Sequence, residues 1–178
     1  MRNRWRTATI VLAAVLVTVG VQTAFAALRG SPVTTKVGRD VTQVKVVRSP
    51  NESFVTGKTK GYTNIPGAAV DITIQNGEHA LILGIFSAET TCYGGGKGAW
   101  CGAQMTVDGV EMKPGDDLAL DSSDSGSETS TSWEGHAFQG SSNILGPGTH
   151  TVRVRYVSVG GATFSVDDYH LTVMRIQT

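Results

Sequence analysis

The stretch that most constrains the fold is residues 79–112, HALILGIFSAETTCYGGGKGAWCGAQMTVDGVEM. Two apolar runs, Ala80 to Ala88 and Ala103 to Val107, flank a glycine-rich loop with Cys92 and Cys101 at its two ends. The first run is under about ten residues, is interrupted by Gly84 and shows no polar alternation. That pattern predicts a strand buried on both faces rather than a buried helix. The whole stretch predicts two adjacent antiparallel strands clamped at their tips, with a tight Asp108-Gly109 turn after the second. Cys92 and Cys101 are the only cysteines, so a single intramolecular pairing exists. In an exported chain a disulfide is the default state of such a pair. Closing a loop of about ten residues stabilises the fold by roughly 2–3 kcal/mol on the chain-entropy model. A metal site or reactive thiol there would need histidines brought in from elsewhere. The run Gly94 to Gly98 is no phosphate loop, because the GxxxxGK[ST] spacing is missing and no helical pattern follows.

The N-terminus reads as an export signal. Arg2, Arg4 and Arg6 precede an uncharged apolar run from Thr7 to Val21, and Ala24-Phe25-Ala26 supplies the small-x-small cleavage pattern. Residues 1–26 are therefore expected to be a signal peptide. Residues 27–40, polar with glycine and proline, are expected to be a flexible lead, and 41–178 a single domain. The mature part has 152 residues, enough for a proper core. It carries 12 basic against 15 acidic side chains, a net charge of −3. This unclustered balance argues against nucleic acid or anionic lipid as partner. Nothing after the signal reads as a membrane-crossing helix, so a secreted, extracellular location is expected.

Beyond residue 40 the chain is a series of short strand patterns separated by turn signals. Val41 to Val47 is β-branched, and Ser53 to Thr56 is a candidate second strand. Ala69 to Ile74 alternates so that Val70, Ile72 and Ile74 face inward, and Asn76-Gly77 predicts a hairpin into the next strand. Thr149 to Tyr156 sends Val152, Val154 and Tyr156 inward and Thr151, Arg153 and Arg155 outward. Asp167-Asp168 predicts a bulge or kink in the last strand. No stretch keeps a helical period. Eight or nine such strands predict an all-β antiparallel sandwich, with a jelly roll as the first topology and an immunoglobulin-like sandwich as the second.

Two phrases also carry a resemblance. Phe86-Ser87-Ala88-Glu89 with Cys92, Trp100-Cys101 and Val107-Asp108-Gly109, and Leu145 to Val152 with Phe164 and Asp168-Tyr169, resemble uncharacterised secreted proteins of actinobacteria. The GPGTHTVRV strand and its closing apolar strand are similar to the ends of C1q/TNF-like jelly rolls. That resemblance covers roughly residues 60–176. It implies a jelly roll that trimerises and binds proteins or glycans, and it carries over no binding residue.

Several groups have chemistry to offer. Tyr93 and Trp100 lie just inside the cysteines, and exposed loop aromatics stack on sugars or anchor partners. The plainer reading is that they cover the disulfide. Asp116, Asp117, Asp121 and Asp124 are the best local carboxylate set for calcium, which takes about six to eight oxygens. Their spacing is not that of an EF-hand, and the plainer reading is a solvated acidic loop. Trp133, Glu134 and His136 sit close in sequence. On a strand Glu134 and His136 share one face, as an acid–base pair, a metal corner or a satisfied polar rim. His79, His150 and His170 are isolated in sequence. There is no GxSxG or HExxH signature, and two carboxylates set apart for glycoside hydrolysis are not readable from sequence.

Three functions follow in order. The first is an exported, non-catalytic sandwich acting in binding or assembly. The second is a glycan-binding module, with or without calcium. The last is a secreted hydrolase.

Overall fold

Ten strands carry the chain: β1 (Val41–Arg48), β2 (Phe54–Gly57), β3 (Thr63–Ile74), β4 (Ala80–Gly94), β5 (Trp100–Val107), β6 (Val110–Glu111), β7 (Leu118–Ser122), β8 (Glu134–Leu145), β9 (Gly148–Val159) and β10 (Ala162–Gln177). The computed structural model describes residues 38–49, 54–115, 118–123 and 126–178. The expected signal peptide and nearly all of the expected lead lie outside the described residues. At the start of the described part, Arg39 N–H donates to the Gln177 carbonyl (2.7 Å) and Gln177 N–H to the Asp40 carbonyl (2.9 Å).

The strands form two antiparallel sheets. Sheet A runs β1-β10-β4-β8, with β2 also on β10; sheet B runs β3-β9-β5-β6, with β7 also on β5. The pairing works inward from the two ends of the domain. β1 pairs β10, β3 pairs β9, β4 pairs β8 and β5 pairs β7. A long ribbon rolled up in this way is a jelly roll. An immunoglobulin-like sandwich joins several consecutive strands as neighbours, whereas here only β5 and β6 do so.

Rolling the ribbon sends β3, β4 and β5 to alternating sheets, and three local expectations change with it. Asn76-Gly77 does turn the chain, with Gly77 at φ 81°. It is a corner between sheets rather than a hairpin, because β3 lies in sheet B and β4 in sheet A. Likewise β4 and β5 are not side by side, so the Cys92–Cys101 disulfide (Cα–Cα 5.8 Å) staples sheet A to sheet B across the core. Thirdly, β4 is not buried on both faces along its length, since its outward alternation opens to solvent in the middle of the strand. Ile82, Phe86 and Cys92 are at 1% exposure or less, but Ile85 is 37% exposed. A two-layer sandwich has no third layer to cover the outside.

Most other strand expectations hold, although β3 starts at Thr63 rather than Ala69. Val70, Ile72 and Ile74 are buried, as are Val152, Val154 and Tyr156. Asp108 and Gly109 both take positive φ (51° and 82°) in the β5–β6 turn. The register of β10 shifts between Asp167 and His170, with Asp168 at φ 44°. Gly84, which interrupts the apolar run, faces Met105 from the other sheet. A Cβ there would collide with the Met105 Sδ. The core is filled by a Phe138–Phe86–Tyr169 ring series, with centroids 5.6 and 5.8 Å apart. Buried Tyr169 donates its hydroxyl to the Pro66 carbonyl at 2.8 Å, so its polar end is satisfied.

Candidate functional site

Glu134 and His136 come together as the strand period predicts. Both lie on β8 opposite Thr90 and Ala88 of β4. His136 Nε2 stands 3.6 Å from Glu134 Oε2, and its Nδ1 shares a 2.9 Å hydrogen bond with the Thr90 hydroxyl. This face of β8 also carries Phe138, opposite Phe86, so the pair borders the open flank of the sandwich. Asp121 on β7 joins them electrostatically. Burial pushes its carboxyl above the usual 3.8; the charge of His136 opposes this, and Glu134 adds to it. The cluster is thus an oriented imidazole among carboxylates. Among the described residues no three histidine, cysteine or acidic side chains converge on a metal position. Asp116, Asp117 and Asp124 of the expected calcium set lie outside the described residues.

The aromatics beside the disulfide do not share a platform. Cys92 and Cys101 both point into the core, so their neighbours Tyr93 on β4 and Trp100 on β5 project from sheets A and B respectively. The Trp100 ring lies against Gly102, where an added Cβ would be 2.6 Å from Cζ3. Trp133 is half-buried just before β8. Local sequence could not separate Tyr93 from Trp100, because their division follows from the assignment of β4 and β5 to different sheets.

The outer faces of the two sheets differ in character. Across sheet A the register sets Val44, Met174 and Leu83 in one row, Val46, Thr172 and Ile85 in the next, and Ile176, Leu81 and Ile144 in a third. Val44, Val46, Ile85 and Ile144 are 55%, 50%, 37% and 58% exposed. Apart from Leu81, which is buried, and Thr172, these side chains form an aliphatic band facing solvent over four strands. Isolated exposed aliphatics are ordinary, but a contiguous band marks an interaction surface. The sequence signal for it was present: β4 lacks polar alternation. Reading that as burial within one chain hid the outward face.

Sheet B turns the opposite character outward. Thr151 donates its hydroxyl to Asp71 Oδ1 at 2.7 Å, and Asp108 Oδ1 accepts from the Thr151 N–H at 2.8 Å. His150 Nδ1 donates to Asp108 Oδ2 at 2.7 Å. A depression of about 310 Å³ opens beside these residues, lined by Asn64, Thr106, Asp108, Thr151, Arg153 and Arg155. A second cavity, about 390 Å³, lies at the sandwich edge among Val107, Val110, Met112, Lys113, Asn143 and Leu145. The Asp121–Glu134–His136 cluster lines neither.

These features define an antiparallel jelly-roll sandwich with one apolar and one polar outer face. No protein-family model matches the chain, and no curated protein is similar to it. Among solved structures it is similar to infectious bursal disease virus, Gx strain (14% identity, TM-score 0.41, covering 82% of this chain and 37% of that one). It is also similar to dimeric latent PorU from Porphyromonas gingivalis (9%, 0.39, covering 81% and 14%). A third is a family 35 carbohydrate binding module from Clostridium thermocellum (12%, 0.30, covering 76% and 95%). Likeness at this level does not extend to activity or partner.

Proposed function

We propose that this chain is an extracellular, non-catalytic jelly roll that works by assembly, with the outer face of sheet A seated against a second copy of itself. The observation that carries this reading is the aliphatic band of Val44, Val46, Leu83, Ile85, Met174 and Ile144. Burying such a band yields roughly 25 cal/mol per Å², and association is the route open to it. The disulfide and the signal-like N-terminus support an extracellular setting. Among the described residues no helix is long and apolar enough to cross a membrane. The resemblance to C1q/TNF-like domains implies a homotrimer, whereas one apolar band seated on the same band of a second copy closes as a two-fold dimer, and the measured mass separates the two. Calcium held by Asp116, Asp117, Asp121 and Asp124 is proposed as an accessory, read out as a higher melting temperature in calcium than in chelator.

The test is the mass of residues 27–178 in solution by light scattering, alongside an Ile85→Lys/Val46→Lys variant. The wild type is expected to be oligomeric at micromolar concentration, and the variant monomeric with unchanged circular dichroism. A wild type that stays monomeric with and without calcium overturns the proposal.

A further inference from the structure

We propose that the outer face of sheet B holds an oxyanion site, centred on the Arg153 guanidinium, for the carboxylate of a hydroxylated ligand such as a sugar acid. Arg153 on β9 stands between Ala69 on β3 and Thr106 on β5. A methyl group and a short hydroxyl side chain flank it where an opposite charge would give a cross-strand ion pair. The Thr106 hydroxyl is directed to the Arg153 carbonyl (3.4 Å), not to its guanidinium. Among the described residues the Arg153 guanidinium has no hydrogen bond and no carboxylate partner, yet it lines the 310 Å³ depression.

Arg155, one alternation further along β9, is a fixed neighbour. It donates from Nη1 to Gln104 Oε1 (3.3 Å) and from Nη2 to the Tyr62 carbonyl (2.7 Å), and it lies 5.8 Å above the Tyr62 ring. A guanidinium held in this way keeps its remaining N–H donors in one place, which lowers the ordering cost of binding. The carboxylates of this face are already engaged, Glu111 by the Gln104 amide (3.4 Å). Asp108 is held by His150 and the Thr151 N–H, and Asp71 accepts from the Thr151 hydroxyl. Among the described residues the anion position beside Arg153 is therefore unfilled. A planar guanidinium matches a carboxylate through two parallel N–H···O bonds. Asn64, Thr106 and Thr151 around it offer amide and hydroxyl groups to the hydroxyls of the same ligand.

The test is an amide-resolved NMR titration of residues 27–178 with D-glucuronate, with D-glucose as the uncharged control and inorganic sulfate as the tetrahedral oxyanion. Glucuronate is expected to shift the amides of Asn64, Thr106, Thr151 and Arg153 saturably in the millimolar range, the affinity expected of one charged contact. Glucose should leave them unmoved, and sulfate, which fits the guanidinium fork but brings no hydroxyls to Asn64, Thr106 and Thr151, should bind about tenfold more weakly. Arg153→Ala should lose about tenfold in glucuronate affinity while keeping its fold, since among the described residues the guanidinium bonds to nothing. Absence of saturable shifts, equal binding by Arg153→Ala, or equal binding of sulfate or glucose overturns the proposal. The band on sheet A lies on the opposite face, so Arg153→Ala leaves the oligomeric state unchanged and the two proposals fail separately.

Discussion

His150 hydrogen bonds through both ring nitrogens, Nδ1 to Asp108 Oδ2 at 2.7 Å and Nε2 to the Gly146 carbonyl at 3.0 Å. Both partners are acceptors, so the arrangement favours the doubly protonated ring. Burial works against that charge, but the Asp108 hydrogen bond, the Gly146 carbonyl and the Asp108 charge outweigh it, and the pKa rises above 6.5. For Asp108, burial again opposes the charge. The His150 and Thr151 hydrogen bonds outweigh it and lower the pKa below 3.8. The histidine contribution is full below pH 6.5 and fades as pH rises through its raised folded value. The aspartate contribution is full above pH 3.8 and fades as pH falls through its lowered one. Wild type should therefore exceed His150→Gln in melting temperature most between those pH values. The gap should be about 2–3 °C, because Asp108 is largely solvated, and it should shrink in high salt. A gap constant to alkaline pH would refute this account. Sequence alone assigned His150 no role, because Asp108 lies on the β5–β6 turn, 42 positions away.

At the scale of elements, the disulfide changes meaning once β4 and β5 fall in different sheets. A clamp on a hairpin would secure a local pair. Cys92–Cys101 instead fixes the distance between the two layers at one end of the core, with both cysteines buried. The loop-entropy gain remains about 2–3 kcal/mol. A Cys92→Ala/Cys101→Ala variant should melt about 5–10 °C lower and still keep its strand signature by circular dichroism. An unchanged melting temperature would show that the staple does not contribute to stability. Strand identity was legible along most of this stretch, since period-2 patterns and turn residues are local signals. The pairing was not, because Asn-Gly and a cysteine-capped loop suit a hairpin and a sheet-to-sheet corner equally well.

For the whole molecule, the last strand is the keystone. β10 sits between β1 and β4 and also carries β2. It contributes Phe164, Val166, Leu171 and Val173 to the core, each fully buried. Without it, β1 has no partner and sheet A loses its centre. A chain ending at Gly160 should show no cooperative melt and no native strand spectrum, and a folded truncated chain would overturn that expectation. The same closure of first strand on last predicts slow folding, in milliseconds to seconds, since ends far apart in sequence must meet before the core rewards them. Stopped-flow refolding of residues 27–178 reads this directly.

By itself the sequence determined most of the strands, though not β8 or the start of β3 at Thr63, together with most of their inward faces, the tight turns, the β10 bulge and the one available disulfide. Each of these rests on side-chain alternation, turn chemistry or the cysteine count, which act within a few residues. Only the tertiary structure decided which strands are neighbours, because partners such as Val44 and Met174 meet across nearly the whole domain. It therefore also decided that Leu83 and Ile85 face outward beside Val44 and Val46, that Tyr93 and Trp100 part company, and that Arg153 stands between Ala69 and Thr106. In a rolled antiparallel ribbon those neighbours are set by register between distant strands, and no local stretch of the chain encodes it.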